Sequence, residues 1–554
     1  MSKNRLIYLP LGGAGEIGMN AYVYGYGAPG KERLILVDLG VTFPDMETTP
    51  GVDLIMADVS WLVENRDRLE AIFITHAHED HVGAIGRLWS ELRVPVYARA
   101  FTAHHARRKM EQAGQDPDEV ITAGAYPEKI EVGPFKVAFV PISHSIPESA
   151  GLVIDTPAGR IAHSGDFKID TDPGVGEAFD EAIWREATGG RVRAFMCDST
   201  NVFSPKPGRS EAELGPEITK LVADAPHMVV ATTFASNVAR VKTLAEAGQA
   251  AGRSVCLLGR AMRRMIEASV DTGVLTDFPK TVTPEDARDI PRESLMLIVT
   301  GSQGERRAAT AQLSRGKYLG LEMKEGDTFL FSSKTIPGNE RGVIRILNAF
   351  SEMGVDIVAD DDRYHVSGHA NRPDLERMHR IVGAETVVPM HGEHRHLREH
   401  AKLAKANGFQ SIVAVNGAMV DLTGATPHVV EHIEADRVYL DGKVIIGALD
   451  GIVRDRIRMA LNGHVIVNAI IEDDAALGDP WVEVMGLPEV GESRAPLVDV
   501  LEEDLGQFLG RAGRKTLADD DKLEEELRRI ARKVTQDEIG KKAEVTVVIS
   551  RLEE

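Results

Sequence analysis

The stretch that decides the fold is Thr75-His76-Ala77-His78-Glu79-Asp80-His81, in which four metal-binding side chains occupy six positions. Residues 71–74, directly before it, form a short apolar run that predicts a buried strand. Residues 82–92, directly after it, carry apolar side chains at helical spacing. The cluster is therefore predicted to lie on the loop between a strand and a helix, where α/β structures usually place their chemistry.

Imidazole and carboxylate side chains are the ligands that zinc and manganese prefer in proteins. His76 and His78, two positions apart, can bind one ion, whereas Asp80 and His81 point differently and can serve a second ion. The alternative is a polar loop that is rich in histidine without binding a metal. Further ligand candidates at later strand ends favour the metal site.

Single histidines and aspartates end several later strands that the sequence predicts. Taken one at a time, such residues are more often caps or hydrogen-bonded core residues, but after a ligand cluster they are better explained as its completion. The candidates are His144, Asp166, Asp198, His369 and His391. By contrast, His394, His396 and His400 fall on a predicted helix and are interpreted as solvated residues rather than ligands.

The composition is that of a soluble globular protein, with 43% hydrophobic and 27% charged residues among 554. Cys197 and Cys256 both lie in apolar, strand-like runs and are predicted to be core residues rather than a disulfide. No apolar run is long enough to span a bilayer, so a cytoplasmic protein without a membrane partner is expected. The net charge of −21 argues against non-specific coating of nucleic acid, but it permits a nuclease with a locally positive channel.

A glycine-rich turn near the start matches the dinucleotide-binding fingerprint in spacing. Gly13, Gly15 and Gly18 spell G-x-G-x-x-G, and Asp38 follows 20 residues later. The fingerprint requires a helix after the last glycine, but residues 20–27 are strand-like. A β-meander with a glycine turn is therefore predicted, and a nicotinamide site is disfavoured.

The chain changes character near residue 210. Strands and helices alternate from there to about residue 360, the pattern of a parallel doubly wound sheet. Histidines return after this segment, which suggests one domain interrupted by another. The predicted organisation is a discontinuous domain at 1–209 and 364–424, an insert at 210–363, a linker at 425–463 and an α+β domain at 464–554.

The motifs together resemble known families. His76-x-His78-x-Asp80-His81, with His144, Asp166 and His391, is similar to the two-metal site of the metallo-β-lactamase superfamily, and Asp38 matches its first motif. The insert, with Asp198, His369 and His391, resembles the nucleic-acid-processing β-CASP branch. The chain resembles the bacterial ribonuclease J family over essentially its whole length. The resemblance is carried by the runs CDSTN, FASN, GSQGE, PGNE, HVSGHA and HGEH.

This resemblance implies an α/β fold, with an αββα sandwich interrupted by a parallel α/β β-CASP domain and followed by a small α+β domain. It implies two divalent ions, with zinc expected and manganese as the alternative. His76, His78 and His144 would hold one ion, Asp80, His81 and His391 the other, and Asp166 would bridge them. His369 would contact the scissile phosphate, oriented by Asp198, while Asp38 would brace the ligand loop.

The implied activity is 5′→3′ exonuclease action on single-stranded RNA that carries a 5′-monophosphate, together with endonuclease cleavage, in RNA maturation and decay. A homodimer or homotetramer and partners in an RNA-degradation complex are also implied. Small residues at strand-to-helix turns suit phosphate binding. We expect the phosphate-binding set to be Ser236, Asn237, Ser367, Gly368, His369 and Ala370.

Other interpretations stay open at this point. In one alternative, Ser236 only caps its helix, which contributes stability but no specificity. A DNA-directed β-CASP nuclease would have the same metal site. A small-thioester hydrolase would need no insert, and a non-catalytic RNA-binding scaffold would lack metal ligands, whereas none is missing here.

Overall fold

A computed structural model describes residues 4–552. The chain divides into two compact units, one formed by the residues up to 42 with 56–437, the other by 43–55 with 438 onward. The first unit contains both histidine-bearing segments and the insert between them.

Two sheets face one another in the first unit and enclose a core. Their facing sides bring together residues such as Tyr8, Phe73, Phe139 and Met196, all of which are buried. The first sheet has the strand order His428–His432, Ala418–Asp421, Arg5–Gly12, Ala21–Gly27, Arg33–Val37, Leu69–Ile74, Val96–Ala98 and Val120–Thr122. The second has the order Ile130–Val132, Phe135–Pro141, Ala150–Thr156, Gly159–His163, Val192–Asp198, Thr386–Met390 and Gln410–Ser411.

Helices cover the outer faces of the two sheets, which gives the αββα layers of the expected sandwich. The main ones are Ser60–Glu64, Ile85–Leu92, Ala100–Gln112, Glu181–Ala187, Arg372–Val382 and His394–Ala406. Local sequence sets their ends, as in Arg372–Val382, where Asn371 and Asp374 form a capping box and Gly383 ends the helix in the left-handed conformation. The fold class predicted from sequence is confirmed.

The insert is a six-stranded sheet in which every recorded pairing is parallel. Its strand order is Thr281–Val282, Ser254–Leu258, Leu295–Val299, Val229–Thr232, Thr328–Phe331 and Asp356–Val358. The main helices are Leu214–Asp224, Val238–Ala250, Arg260–Asp271, Pro284–Ala287, Ala309–Leu313 and Glu340–Glu352. Apolar clusters lie on both faces of the sheet, as the alternating pattern predicted.

One buried arginine joins both ends of the insert to its sheet. Arg240, which is fully buried, forms an ion pair with Glu211 near the start of the insert. Its Nη1 also donates to the carbonyl oxygens of Ser332, at 2.9 Å, and Tyr364, at 3.3 Å. A buried charge of this kind needs such partners. Arg240 therefore fixes the helix Val238–Ala250 relative to the segments that enter and leave the insert.

The second unit is a small α+β structure. The strand His464–Glu472 pairs with Ala475–Ala476, Trp481–Met485 and Glu544–Leu552. The helices Leu497–Arg511, Arg514–Leu517 and Asp520–Ile539 supply leucines to its core. The helix Asp520–Ile539 carries many charged residues, and its apolar face is buried.

The segment 425–463 is more structured than the linker expected there. His428–His432 pairs with Ala418–Asp421 and so extends the first sheet. Residues 438–447 form a hairpin in the second unit, and Ile452–Asn462 is a helix. The domain boundaries stay predictions.

Three further expectations can be compared with the structure. Cys197 and Cys256 are both buried and free, as predicted. After Gly18 the chain enters the strand Ala21–Gly27, not a helix, so the glycine turn lacks the context of a dinucleotide site. Across residues 4–552, every helix is too short or too polar to cross a bilayer.

Candidate metal centre

Asp38 forms hydrogen bonds with both ends of the histidine-rich loop, residues 75–81. The strand Leu69–Ile74 ends at Thr75, whose N–H donates to Asp38 Oδ1 at 2.7 Å and whose hydroxyl donates to Oδ2 at 2.9 Å. His81 Nδ1 lies 2.7 Å from the same Oδ2. Because Asp38 is fully buried, it fixes both ends of the loop and sets which nitrogen of His81 carries the proton.

Three histidines form the first cluster. His78 Nδ1 lies 3.1 Å from His76 Nε2 and 3.1 Å from His144 Nε2. The other nitrogen of each ring faces a group that orients it. His76 Nδ1 faces the Thr75 hydroxyl at 3.0 Å, His78 Nε2 faces Ser236 Oγ at 3.2 Å, and His144 Nδ1 donates to the Gly368 carbonyl at 2.6 Å. The three remaining nitrogens converge on one point.

Asp80, His81, Asp166 and His391 form a second cluster beside the first. Asp166 lies between the two clusters, with Oδ2 3.3 Å from His81 Nε2, 4.0 Å from His76 Nε2 and 3.9 Å from His144 Nε2. Its Oδ1 lies 3.4 Å from His391 Nδ1 and is buried without a hydrogen-bond partner. A buried carboxylate oxygen without a donor, among imidazole nitrogens, fits a site for divalent cations.

Burial controls the protonation of the first cluster. It lowers the pKa of His78 to about 4 and holds the pKa of His76 and of His144 well below the usual value. These rings are therefore neutral, which is the form that binds metal ions. Burial also lowers the pKa of His81, but the carboxylates of Asp166, Asp80 and Asp38 outweigh this effect and raise it.

His369 and Asp198 form a pair at the open side of the clusters. Asp198 Oδ2 lies 2.7 Å from His369 Nδ1, and Asp198 Oδ1 accepts hydrogen bonds from the N–H and hydroxyl of Thr200. The side chain of Asp198 is 1% exposed, whereas that of His369 is 22% exposed. Burial lowers the pKa of His369, but Asp198 outweighs burial and raises it to about 9. His369 is therefore placed to present a proton from its Nε2 to a ligand.

The residues expected to bind phosphate are partly engaged in other contacts. Ser236 is half-buried next to His78, whereas Asn237 is buried and its Oδ1 caps the helix Val238–Ala250 by accepting from the Arg240 N–H. Ser367 Oγ accepts from Asn201 Nδ2 at 2.8 Å and from the His369 N–H at 3.2 Å. The side chain of Ala370 belongs to the core, so its backbone is the part that could face a ligand.

Gly368 is required by sterics at its position. A Cβ there would lie 2.5 Å from Ser145 Oγ and 3.0 Å from His144 Cε1. Since the Gly368 carbonyl also accepts from His144 Nδ1, a larger residue would displace a ring of the first cluster.

Sequence reasoning missed Asn20, which connects the ligand loop at Asp80 and His81 to the distant ligand His391. Asn20 is fully buried, and its backbone N–H and Nδ2 both donate to the Asp80 carbonyl at 2.9 Å. Its Nδ2 also lies 3.0 Å from His81 Nε2, and its Oδ1 accepts from His391 Nδ1 at 2.9 Å. The signal was present in the glycine turn at residues 12–20, which positions Asn20.

The interpretation of His396 and His400 as solvated residues is wrong. Both are buried, because one face of the helix His394–Ala406 packs against the second sheet. That face carries His396, Leu397, His400, Ala401, Leu403 and Ala404. His394 lies off this face and is exposed, as expected.

Comparisons with known proteins were made against this geometry. A family described as Ribonuclease J, beta-CASP domain matches residues 226–350, and the Ribonuclease J C-terminal domain matches 451–552. The Beta-lactamase superfamily domain matches 36–189, and the Zn-dependent metallo-hydrolase RNA specificity domain matches 354–414. The chain is also 41% identical to a ribonuclease J of Sinorhizobium meliloti, over 99% of this chain and 97% of that protein. This chain belongs to the ribonuclease J family.

Other members of the ribonuclease J family are also similar to this chain. The ribonuclease J of Corynebacterium glutamicum is 35% identical over 92% of this chain and 71% of its own length. That of Thermus thermophilus is 32% identical over 87% and 85%, respectively. A solved protein of unknown function from Enterococcus faecalis shares the fold, with a TM-score of 0.51 and 17% identity over 75% of this chain and 100% of its own. Membership in the family supports metal binding, RNA binding and nuclease activity.

Proposed function

We propose that this chain is a two-metal ribonuclease that degrades single-stranded RNA from a 5′-monophosphate end in the 5′→3′ direction and also cleaves internally. The single observation that carries the proposal is the position of Asp166, between two ligand clusters and 3.9 Å from His369 Nδ1. A two-metal site with an adjacent acid can stabilise the attacking and leaving oxygens in phosphodiester hydrolysis. Ribonuclease J relatives support RNA as the substrate.

In this proposal His76, His78 and His144 hold one ion, and Asp80, His81 and His391 hold the other, with Asp166 shared. Zinc fits the nitrogen-rich donor set, and manganese is the alternative. When bound, two such ions supply positive charge to the phosphate and lower the pKa of the attacking water. Asp38 and Asn20 hold the ligand loop, because each bonds to its backbone and to a ligand side chain.

His369 acts as the general acid. Its ion pair with Asp198 favours the protonated ring, and its partial exposure lets a substrate reach it. Asp198 holds the ring through Nδ1, so Nε2 stays available to carry the proton that passes to the leaving oxygen of the RNA. Asp198 is a positioning residue, since it is buried behind His369.

The 5′-phosphate is bound on the insert side of the metal centre. Ser236 lies beside His78 at the start of a helix, where the helix dipole favours an anion. Ser367, Gly368, His369 and Ala370 supply backbone groups from the facing segment. A monophosphate fits between these two sides with the next phosphodiester over the clusters. A triphosphate carries more charge and volume than this space accepts.

We also propose the cytoplasm as the location, and a homodimer or homotetramer that works with other proteins of RNA decay. The mass of the protein in solution, measured by light scattering, tests the oligomeric part.

The deciding experiment digests one RNA that carries either a 5′-monophosphate or a 5′-triphosphate, with zinc, manganese or EDTA added. We expect faster release of single nucleotides from the monophosphate form, and loss of hydrolysis with EDTA. A matched DNA oligonucleotide tests the DNA-directed alternative, which predicts equal or faster cleavage of DNA. Hydrolysis that persists after metal removal would overturn the two-metal proposal.

A further inference from the structure

A third group of metal-binding side chains lies behind the candidate metal centre. Cys197 is on the strand Val192–Asp198, His379 on the helix Arg372–Val382 and His400 on the helix His394–Ala406. All three residues are fully buried, and their donor atoms lie within 4.8 Å of one another. None of them belongs to the clusters around Asp166.

The two histidines of this group present nitrogens to one another. His379 Nε2 lies 2.9 Å from His400 Nε2, and the rings are nearly parallel, with centroids 5.0 Å apart and an angle of 12°. The ligand nitrogens of the first cluster, His76 with His78 and His78 with His144, lie 3.1 Å apart. The buried pair therefore has nearly the same spacing as nitrogens that are arranged for a cation.

Hydrogen bonding satisfies three of the four ring nitrogens in this group. His400 Nδ1 lies 2.9 Å from Ser199 Oγ, and the two Nε2 atoms face each other. His379 Nδ1 is buried and has no partner within the described part of the chain. Burial holds the pKa of His379 well below the usual value and lowers that of His400 to about 4, so both rings are neutral and keep a lone pair.

We propose that Cys197, His379 and His400 bind a third cation, a thiophilic d10 ion such as zinc, at a closed site separate from the hydrolytic centre. Binding forms bonds to Cys197 Sγ and to both Nε2 atoms, and it releases the thiol proton to solvent. The proton shared by the two Nε2 atoms moves to His379 Nδ1, the ring position that has no other contact. His400 Nδ1 keeps its proton, which Ser199 accepts.

Such an ion would tie two helices to the strand that ends in Asp198. The alternative is a histidine pair and a thiol in an apolar core, held together by packing and one hydrogen bond. A metal site and a metal-free core group differ in one observable, because only the metal site contains a bond between sulfur and a metal ion. The hydrolytic clusters contain histidine and aspartate alone.

Cobalt is the probe for this difference. The full-length protein is produced in minimal medium with cobalt as the added transition metal, because the site is closed and must fill during folding. We expect a thiolate-to-cobalt charge-transfer band in the near ultraviolet and about three cobalt ions per chain. Cys197→Ser should lose the band and one ion. Cys256→Ser, which changes the other buried cysteine, should keep both.

A parent protein with cobalt in the hydrolytic clusters but no sulfur band would overturn the proposal, as would a band that survives in Cys197→Ser. Should Cys197→Ser fail to fold, His379→Gln replaces it as the test, since this variant keeps the sulfur and removes one nitrogen donor. The proposal expects His379→Gln to lose one cobalt ion or to shift the band. Unchanged cobalt content and an unchanged band in that variant would contradict it. Neither result depends on RNA hydrolysis.

Discussion

Ser236 Oγ lies 3.2 Å from Nε2 of His78, although 158 residues separate them in the chain. Ser236 lies directly before Asn237, the residue that caps the insert helix Val238–Ala250, whereas His78 lies on the ligand loop of the sandwich. The contact makes the insert part of the metal centre, because it orients a candidate ligand. A serine hydroxyl has one proton and two lone pairs, so accepting from His78 leaves its proton free for a phosphate oxygen.

Ser236→Ala should therefore slow digestion of RNA with a 5′-monophosphate and narrow its advantage over RNA with a 5′-triphosphate, while internal cleavage persists. Initial rates on the two substrates, measured side by side, check this. Asn237→Ala is the control, since its side chain caps the helix, and we expect it to cost about 1 kcal/mol in the free energy of unfolding. If Ser236→Ala slows both substrates equally, or lowers only the melting temperature, the phosphate pocket lies elsewhere.

The ligand loop was predictable because local patterns determine it. An apolar strand, a polar run and a helical pattern follow one another within residues 71–92, and parallel strands bring their ends to one edge of a sheet. His144, Asp166 and His391 could be identified for the same reason. The role of Asn20 could not, since its contact with His391 joins residues 371 positions apart.

The prediction that His400 is solvated was wrong for a different physical reason. Leu397, Ala401 and Ala404 form one apolar face of the helix His394–Ala406, and His400 falls on that face. The polar character of a histidine therefore does not by itself show that its side chain is solvated. In the structure His400 faces Ser199 and His379, while His394, on the same helix, is exposed. The packing of the helix decides the chemistry of each histidine.

Asp80→Ala should abolish hydrolysis and reduce the metal content, while the melting temperature changes little, because the loop lies on a large preformed scaffold. Elemental analysis and thermal unfolding measure the two effects. Glu79→Ala is the matched control: it removes a carboxylate from the same loop, but this one pairs with Lys109 and is half exposed. The control should keep its metals and its activity. Full activity in an Asp80→Ala protein that has lost metal would refute the two-metal mechanism.

His369→Ala should reduce the turnover number roughly 10²–10⁴-fold, the usual contribution of a positioned general acid. Both hydrolytic ions should remain, since the proposal assigns His369, whose Nδ1 pairs with Asp198, to the phosphate rather than to a metal. Single-turnover rates and metal content on the same preparation provide the readouts. Asp198→Asn should give a smaller loss by leaving the ring in place without its anionic partner. Parallel loss of metal and activity in His369→Ala would make it a ligand instead.

Asn20→Ala should weaken metal binding by roughly 10–100-fold, the range typical of residues that orient ligands. The Asn20 side chain contacts the Asp80 carbonyl, His81 and His391. Its removal therefore leaves the His391 ring and the ligand loop at residues 80–81 without the group that orients them. Metal affinity is measured by competition with a chelator of known strength, and activity should return when excess metal is added. Asn4→Ala, an exposed asparagine near the start of the same strand pair, is the control and should change neither quantity. Activity that stays low at saturating metal would show instead that Asn20 shapes the reaction geometry directly.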